Sequence, residues 1–77
     1  MERNIVDLDV RDILRAKQEP FDIIMKHVKE LKENDCLQLH TTFEPAPLLK
    51  LMATKGFAHK IEQVEPEHFV VQFYREN

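Results

Sequence analysis

Apolar and polar residues alternate along Ile5-Val6-Asp7-Leu8-Asp9-Val10, which predicts a strand burying Val6, Leu8 and Val10 on one face. Arg11 to Lys17 then supports a short helical turn around Ile13 and Leu14. Pro20 has its φ fixed by the ring and needs no amide donor, so it suits the first helical position, with Glu19 as the flanking cap residue. Phe21, Ile24, Met25, Val28 and Leu31 follow at spacings of three and four. They form one apolar stripe on a helix expected to end near Lys32, before the turn residues Asn34-Asp35.

A second alternation, Cys36 to His40, predicts a strand with Leu37 and Leu39 on one face and Cys36, Gln38 and His40 on the other. Thr41 to Pro47 connects it to a second helix that starts at Pro45 and Pro47, turns Leu48, Leu51 and Met52 inward, and stops near Lys55. Gly56 ends that helix, because glycine takes left-handed dihedrals without a steric cost. Ala58 to Val64 has the polar-rich pattern of an edge strand, Glu65-Pro66-Glu67 is a turn, and His68 to Tyr74 is a strand with Phe69, Val71 and Phe73 on one face. The order βαβαββ, with a single thoroughly apolar sheet face, predicts an α+β fold: a two-layer sandwich with two helices on one face of a four-stranded mixed sheet. Right-handed crossover makes the first two strands parallel, and the last two form an antiparallel hairpin.

Composition narrows the function classes. The 77 residues fit one domain spanning 1–77. Mean hydropathy is -0.45 and no apolar run reaches the roughly 20 residues that span a bilayer, so no membrane partner is expected. The start, Met1-Glu2-Arg3-Asn4, lacks the apolar stretch of a secretory leader, which places the expected location in the cytoplasm. Eleven Lys and Arg against fourteen Asp and Glu leave -3, which argues against a nucleic-acid surface. The single cysteine, Cys36, has no partner for an intramolecular disulfide. With no serine there is no nucleophile elbow, and one glycine, Gly56, cannot build a phosphate loop. A non-enzymatic role without a cofactor is the expectation.

The topology brings the C-terminal ends of the first two strands to the same edge as both helix N-termini, where α/β sheets tend to bind ligands. This top edge should collect Arg11, Glu19, His40, Glu44 and His68 as the candidate residues for ligand or partner binding. Glu19-Pro20 and Glu44-Pro45 echo one another, and a carboxylate before a helix start complements the helix dipole. His40 and His68, joined by Glu44, offer an alternative as a metal site, since imidazole and carboxylate suit zinc or iron. No His-x-x-x-His or Cys-x-x-Cys spacing reinforces it. Cys36 falls at the opposite edge and reads as a small half-buried strand residue. The sheet face away from the helices carries Ile5, Val70 and Tyr74 among polar residues, and a homodimer through that open face is a further expectation.

With Asp9-Val10-Arg11, Glu19-Pro20-Phe21, Phe43-Glu44-Pro45-Ala46-Pro47-Leu48 and Gly56-Phe57-Ala58-His59 in this order and spacing, the chain resembles a bacterial domain-of-unknown-function family, number 2249, over roughly residues 5 to 74. That family looks related in fold to the TusA/SirA sulfur-carrier proteins, whose Cys-Pro motif stands at the start of the first helix. The resemblance implies a TusA/SirA-like sandwich and an accessory role in redox or nitrogen-oxide metabolism, with members joined to hemerythrin-like domains. The departure lies at the carrier's reactive position, where this chain has Glu19-Pro20. A carboxylate cannot hold a persulfide, so sulfur relay is an alternative that must run through Cys36. The leading expectation is an uncharacterised binding or accessory module contacting a protein partner or a small ligand.

Overall fold

The computed structural model describes residues 4–75 of the chain. The reading of Met1 to Arg3 as the start of the domain lies outside them. Strand β1 (Asn4–Asp9) leads into a short helix α1 (Arg11–Arg15) and then α2 (Phe21–Glu30). Strand β2 (Asp35–Thr41), helix α3 (Ala46–Thr54) and the hairpin β3 (Phe57–Glu65) and β4 (His68–Arg75) follow. The four strands form one sheet in the order β1-β2-β4-β3. β1 runs parallel to β2, while β4 is antiparallel to both β2 and β3. This is the two-layer α+β sandwich with a mixed sheet that the patterning predicts.

The alternation in β2 and β4 decides which face is covered. Leu37, Leu39, Val71 and Phe73 are fully buried and join Ile24, Val28 and Leu31 from the α2 region and Met52 from α3 in one cluster. Val6, Leu8, Ile13, Leu14 and Leu48 pack against it from its rim. All three helices therefore lie on the face that the apolar residues select.

The helix boundaries differ from the sequence reading by a residue or two, each for a local reason. Pro20 has helical dihedrals but stands as the cap, so α2 opens at Phe21. Its far end comes at Glu30, because Leu31 turns to extended backbone with φ -68° and ψ 133° and is buried. Asp35 begins β2 one residue early; its carboxylate accepts the Lys32 amide at 2.9 Å and thereby closes the turn. Pro45 caps α3, with Pro47 inside its first turn. Gly56 has φ +89° after α3, and a Cβ there would meet no atom within 4 Å, so the requirement for glycine is a backbone one. Lys17 takes φ 58° after α1, which swings the chain toward Glu19-Pro20.

Candidate functional site

Parallel pairing places Asp9 beside His40, and the Val10 amide donates to the His40 carbonyl at 3.0 Å. The top ends of β1 and β2 thus coincide. Cys36 pairs with Ile5 at the other end of both strands. It is 3% exposed, more deeply buried than the half-buried position expected of it.

The predicted residues divide between the two faces of the sheet. On the open face, Asp7, His40 and His68 are joined in a line. His40 Nε2 lies 2.8 Å from Asp7 Oδ1, and His40 Nδ1 lies 2.9 Å from His68 Nε2. A carboxylate can only accept, so His40 Nε2 donates to Asp7, and one hydrogen bond joins the two imidazoles between His40 Nδ1 and His68 Nε2. His68 Nδ1 faces Glu65 at 3.9 Å. The line extends across the sheet, since Gln38 Nε2 also donates to Asp7 Oδ1 at 2.9 Å and Gln72 Nε2 donates to Gln38 Oε1 at 3.1 Å. The Asp7 carboxyl is held below its usual range, first by the Gln38 hydrogen bond and then by His40.

Arg11 is committed locally. Its guanidinium makes a forked contact with the Asp9 carboxylate, with Nη2 at 2.7 Å from Oδ2 and Nε at 3.0 Å from Oδ1. The Arg11 amide also donates to Asp9 Oδ1 at 3.0 Å. These bonds pull the Asp9 carboxyl down from 3.8 to about 2. A depressed carboxyl stabilises the fold above its unfolded value and loses that contribution as pH falls through its folded value. Stability should therefore fade between pH 3.8 and about 2, and Asp9→Asn should flatten that acid limb in thermal midpoints measured across the window. The effect is small, below about 1 kcal/mol, because the pair is partly exposed to water. An acid limb identical in the variant would contradict the assignment.

Glu19 and Glu44 stand apart from the histidine line. Glu19 Oε1 accepts the Phe21 amide at 3.1 Å, the capping role that its place before Pro20 predicts. Glu44 is exposed, and its carbonyl accepts the Ala46 amide at 3.0 Å where α3 begins. The expected convergence of His40, Glu44 and His68 is thus met only by the two histidines, because Glu44 belongs to the loop on the helix side. Among the described residues no three or more His, Cys, Asp or Glu side chains are grouped to hold a metal ion. An ion at His40 and His68 would have to break the hydrogen bond between their facing nitrogens.

A cavity of about 500 Å³ lies where the helices open, on the covered side of the top edge. Val10, Leu39 and Thr41 form its floor and are each no more than 2% exposed. Phe21 and Phe43 line it while remaining 43% and 50% exposed, which puts one aromatic ring from each helix start at its mouth. Glu19 is the one charged side chain among the described residues that line it. Thr41 shapes this mouth: its hydroxyl donates to the Phe43 carbonyl at 2.8 Å and accepts the Phe43 amide at 3.1 Å. A second hollow of about 430 Å³ lies on the open face among Gln38, His40, Lys60, Glu62, Val70 and Gln72. Concave, mostly apolar walls with a few polar groups characterise ligand sites, and the helix-side cavity meets that description better.

The shared edge of Arg11, Glu19 and His40 is legible in the sequence, whereas Asp7 and the cavity are not. Asp7 is found by laying β1 beside β2 in parallel register, which puts it on the same face as Gln38 and His40. The cavity has a fainter signal, an aromatic residue next to each Glu-Pro pair, in Pro20-Phe21 and Phe43-Glu44-Pro45.

No helix among the described residues is long and apolar enough to cross a membrane. A family model described as an uncharacterized conserved protein, DUF2249, matches residues 7–75. Neither the curated proteins nor the solved structures contain a match.

Proposed function

The chain belongs to the DUF2249 family of uncharacterized conserved proteins, and from that membership and the geometry we propose that it is a non-enzymatic cytoplasmic binding module that accepts an apolar side chain of a protein partner in the cavity between its helix starts. The observation that carries this reading is the pair of half-exposed rings, Phe21 and Phe43, standing over a floor of buried core residues. Exposed aromatic side chains at a preformed hollow are the residues on which binding energy concentrates. Glu19 and Glu44 shape the two helix starts. Arg11, His40 and His68 form the polar rim on the far side of the same edge, where they orient the partner. The accessory role in redox or nitrogen-oxide metabolism that the family resemblance implies fits a module of this kind.

The test is recovery of partners from the native cell with the wild-type chain and with Phe21→Ala and Phe43→Ala as bait. Both side chains are half-exposed, so the variants should keep their thermal midpoint within a few degrees. Recovery should fall by about tenfold or more in each. Undiminished recovery with both rings removed would take the cavity out of consideration.

Sulfur relay through Cys36 is the competing reading. The burial of the thiol at the bottom of β2, far from either helix start, weighs against it. Mass spectrometry after exposure to a persulfide donor discriminates: an adduct on Cys36 that passes to an acceptor protein would favour relay.

A further inference from the structure

Strand β3 lies at one edge of the sheet and, among the described residues, pairs only with β4. Its central residues read Lys60-Ile61-Glu62, a cation and an anion placed symmetrically about an isoleucine. We propose that two copies of this chain associate through β3, in antiparallel register about Ile61, to form a continuous eight-stranded sheet.

The symmetry of the strand selects the register. A two-fold axis perpendicular to the sheet keeps both helix layers on one side, so residues directly opposite one another must share a face. With Ile61 opposite its own copy, Lys60 stands opposite Glu62 twice, and His59 opposite Gln63 twice. Moving the axis to residue 60 sets lysine against lysine, and moving it to residue 62 sets glutamate against glutamate. Opposite charges facing each other across strands stabilise a pairing, and like charges oppose it. Ile61 is 36% exposed at the margin of the helix-side face, where its register partner on β4 is the buried Val71. Association would bring the two isoleucines together and cover both.

The register of β3 on β4 shifts between Gln63 and Glu65, and irregularities of this kind limit how far an edge can be extended. The register about Ile61 uses residues 59 to 63 and stops before that irregularity. The opposite edge has no such complementarity. β1 carries Asp7 and Asp9, and antiparallel self-pairing about residue 7 or residue 8 sets carboxylates against each other. Two copies thus have one edge suited to self-recognition and one that resists it, which yields a closed dimer rather than a fibre.

Sedimentation velocity over a concentration series, on the wild-type chain and on K60E, E62K and the double variant K60E/E62K, tests the proposal. The wild type should reach the mass of a dimer. Each single variant should weaken self-association by about tenfold or more, because the two-fold axis makes one substitution act at two places. The double variant should recover the dimer, with circular dichroism confirming the fold throughout. A wild type that stays monomeric at every concentration would overturn the proposal. So would a dimer that persists unchanged in both single variants, which would place association on the open sheet face instead.

Discussion

Phe73→Ala is expected to remove about 3–5 kcal/mol of folding stability, the ordinary cost of truncating a fully buried aromatic residue. Phe73 is 0% exposed and lies on the helix-covered face of β4, opposite Leu37 on β2 and His59 on β3. It therefore fills the space between the inner strands and the helices. A chain of this length has a total stability of about 4–11 kcal/mol, so a large share is lost. Chemical denaturation should show a lower midpoint with an unchanged slope, and the thermal midpoint should fall by at least about 12 °C. A loss below about 1 kcal/mol would mean that this residue is not at the centre of the core.

Leu39→Ala and Leu37→Ala form the second expectation, and the comparison between them matters more than either alone. Both leucines are buried on the same face of β2, and each truncation should cost about 2–5 kcal/mol. Only Leu39 forms part of the cavity floor. Leu39→Ala should thus deepen the hollow at the helix starts and change what it binds, whereas Leu37→Ala should reduce stability without altering binding per folded molecule. Urea unfolding gives the first quantity, and titration well below the unfolding midpoint gives the second. Equal effects on binding would detach the cavity from the function.

The sheet and its covered face were legible because period-two alternation holds along β1, from Leu37 to Thr41 in β2 and from Val70 to Phe73 in β4. Val6, Leu8, Leu37, Leu39, Val71 and Phe73 all take the face that their spacing assigns. The Glu19 cap was legible because a carboxylate before proline at a helix start has a local role that needs no tertiary information. The features that the sequence does not reveal depend on contacts between elements. The Asp7–His40–His68 line joins three strands, and its members are 28 and 33 residues apart in sequence. The deep burial of Cys36 is not legible either, since its spacing assigns it to the more polar face of β2. Glu44 shares the edge of the histidines, but the two faces of the sheet separate residues that the edge alone brings together. The cavity arises from a gap between three helices on the sheet, and the aromatic residues beside the two Glu-Pro pairs mark only its mouth.

The placement of the binding surface is tested most directly by titrating the ¹⁵N-labelled chain with indole, a probe for an apolar aromatic side chain, and following its amide resonances. The expected result is saturable shifts confined to Leu14, Ile24, Leu39, Thr41, Phe43 and Leu48, weakened in Phe43→Ala and altered in Leu39→Ala. Shifts centred on Gln38, Val70 and Gln72, or no saturable shift at any residue, would contradict a site between the helix starts.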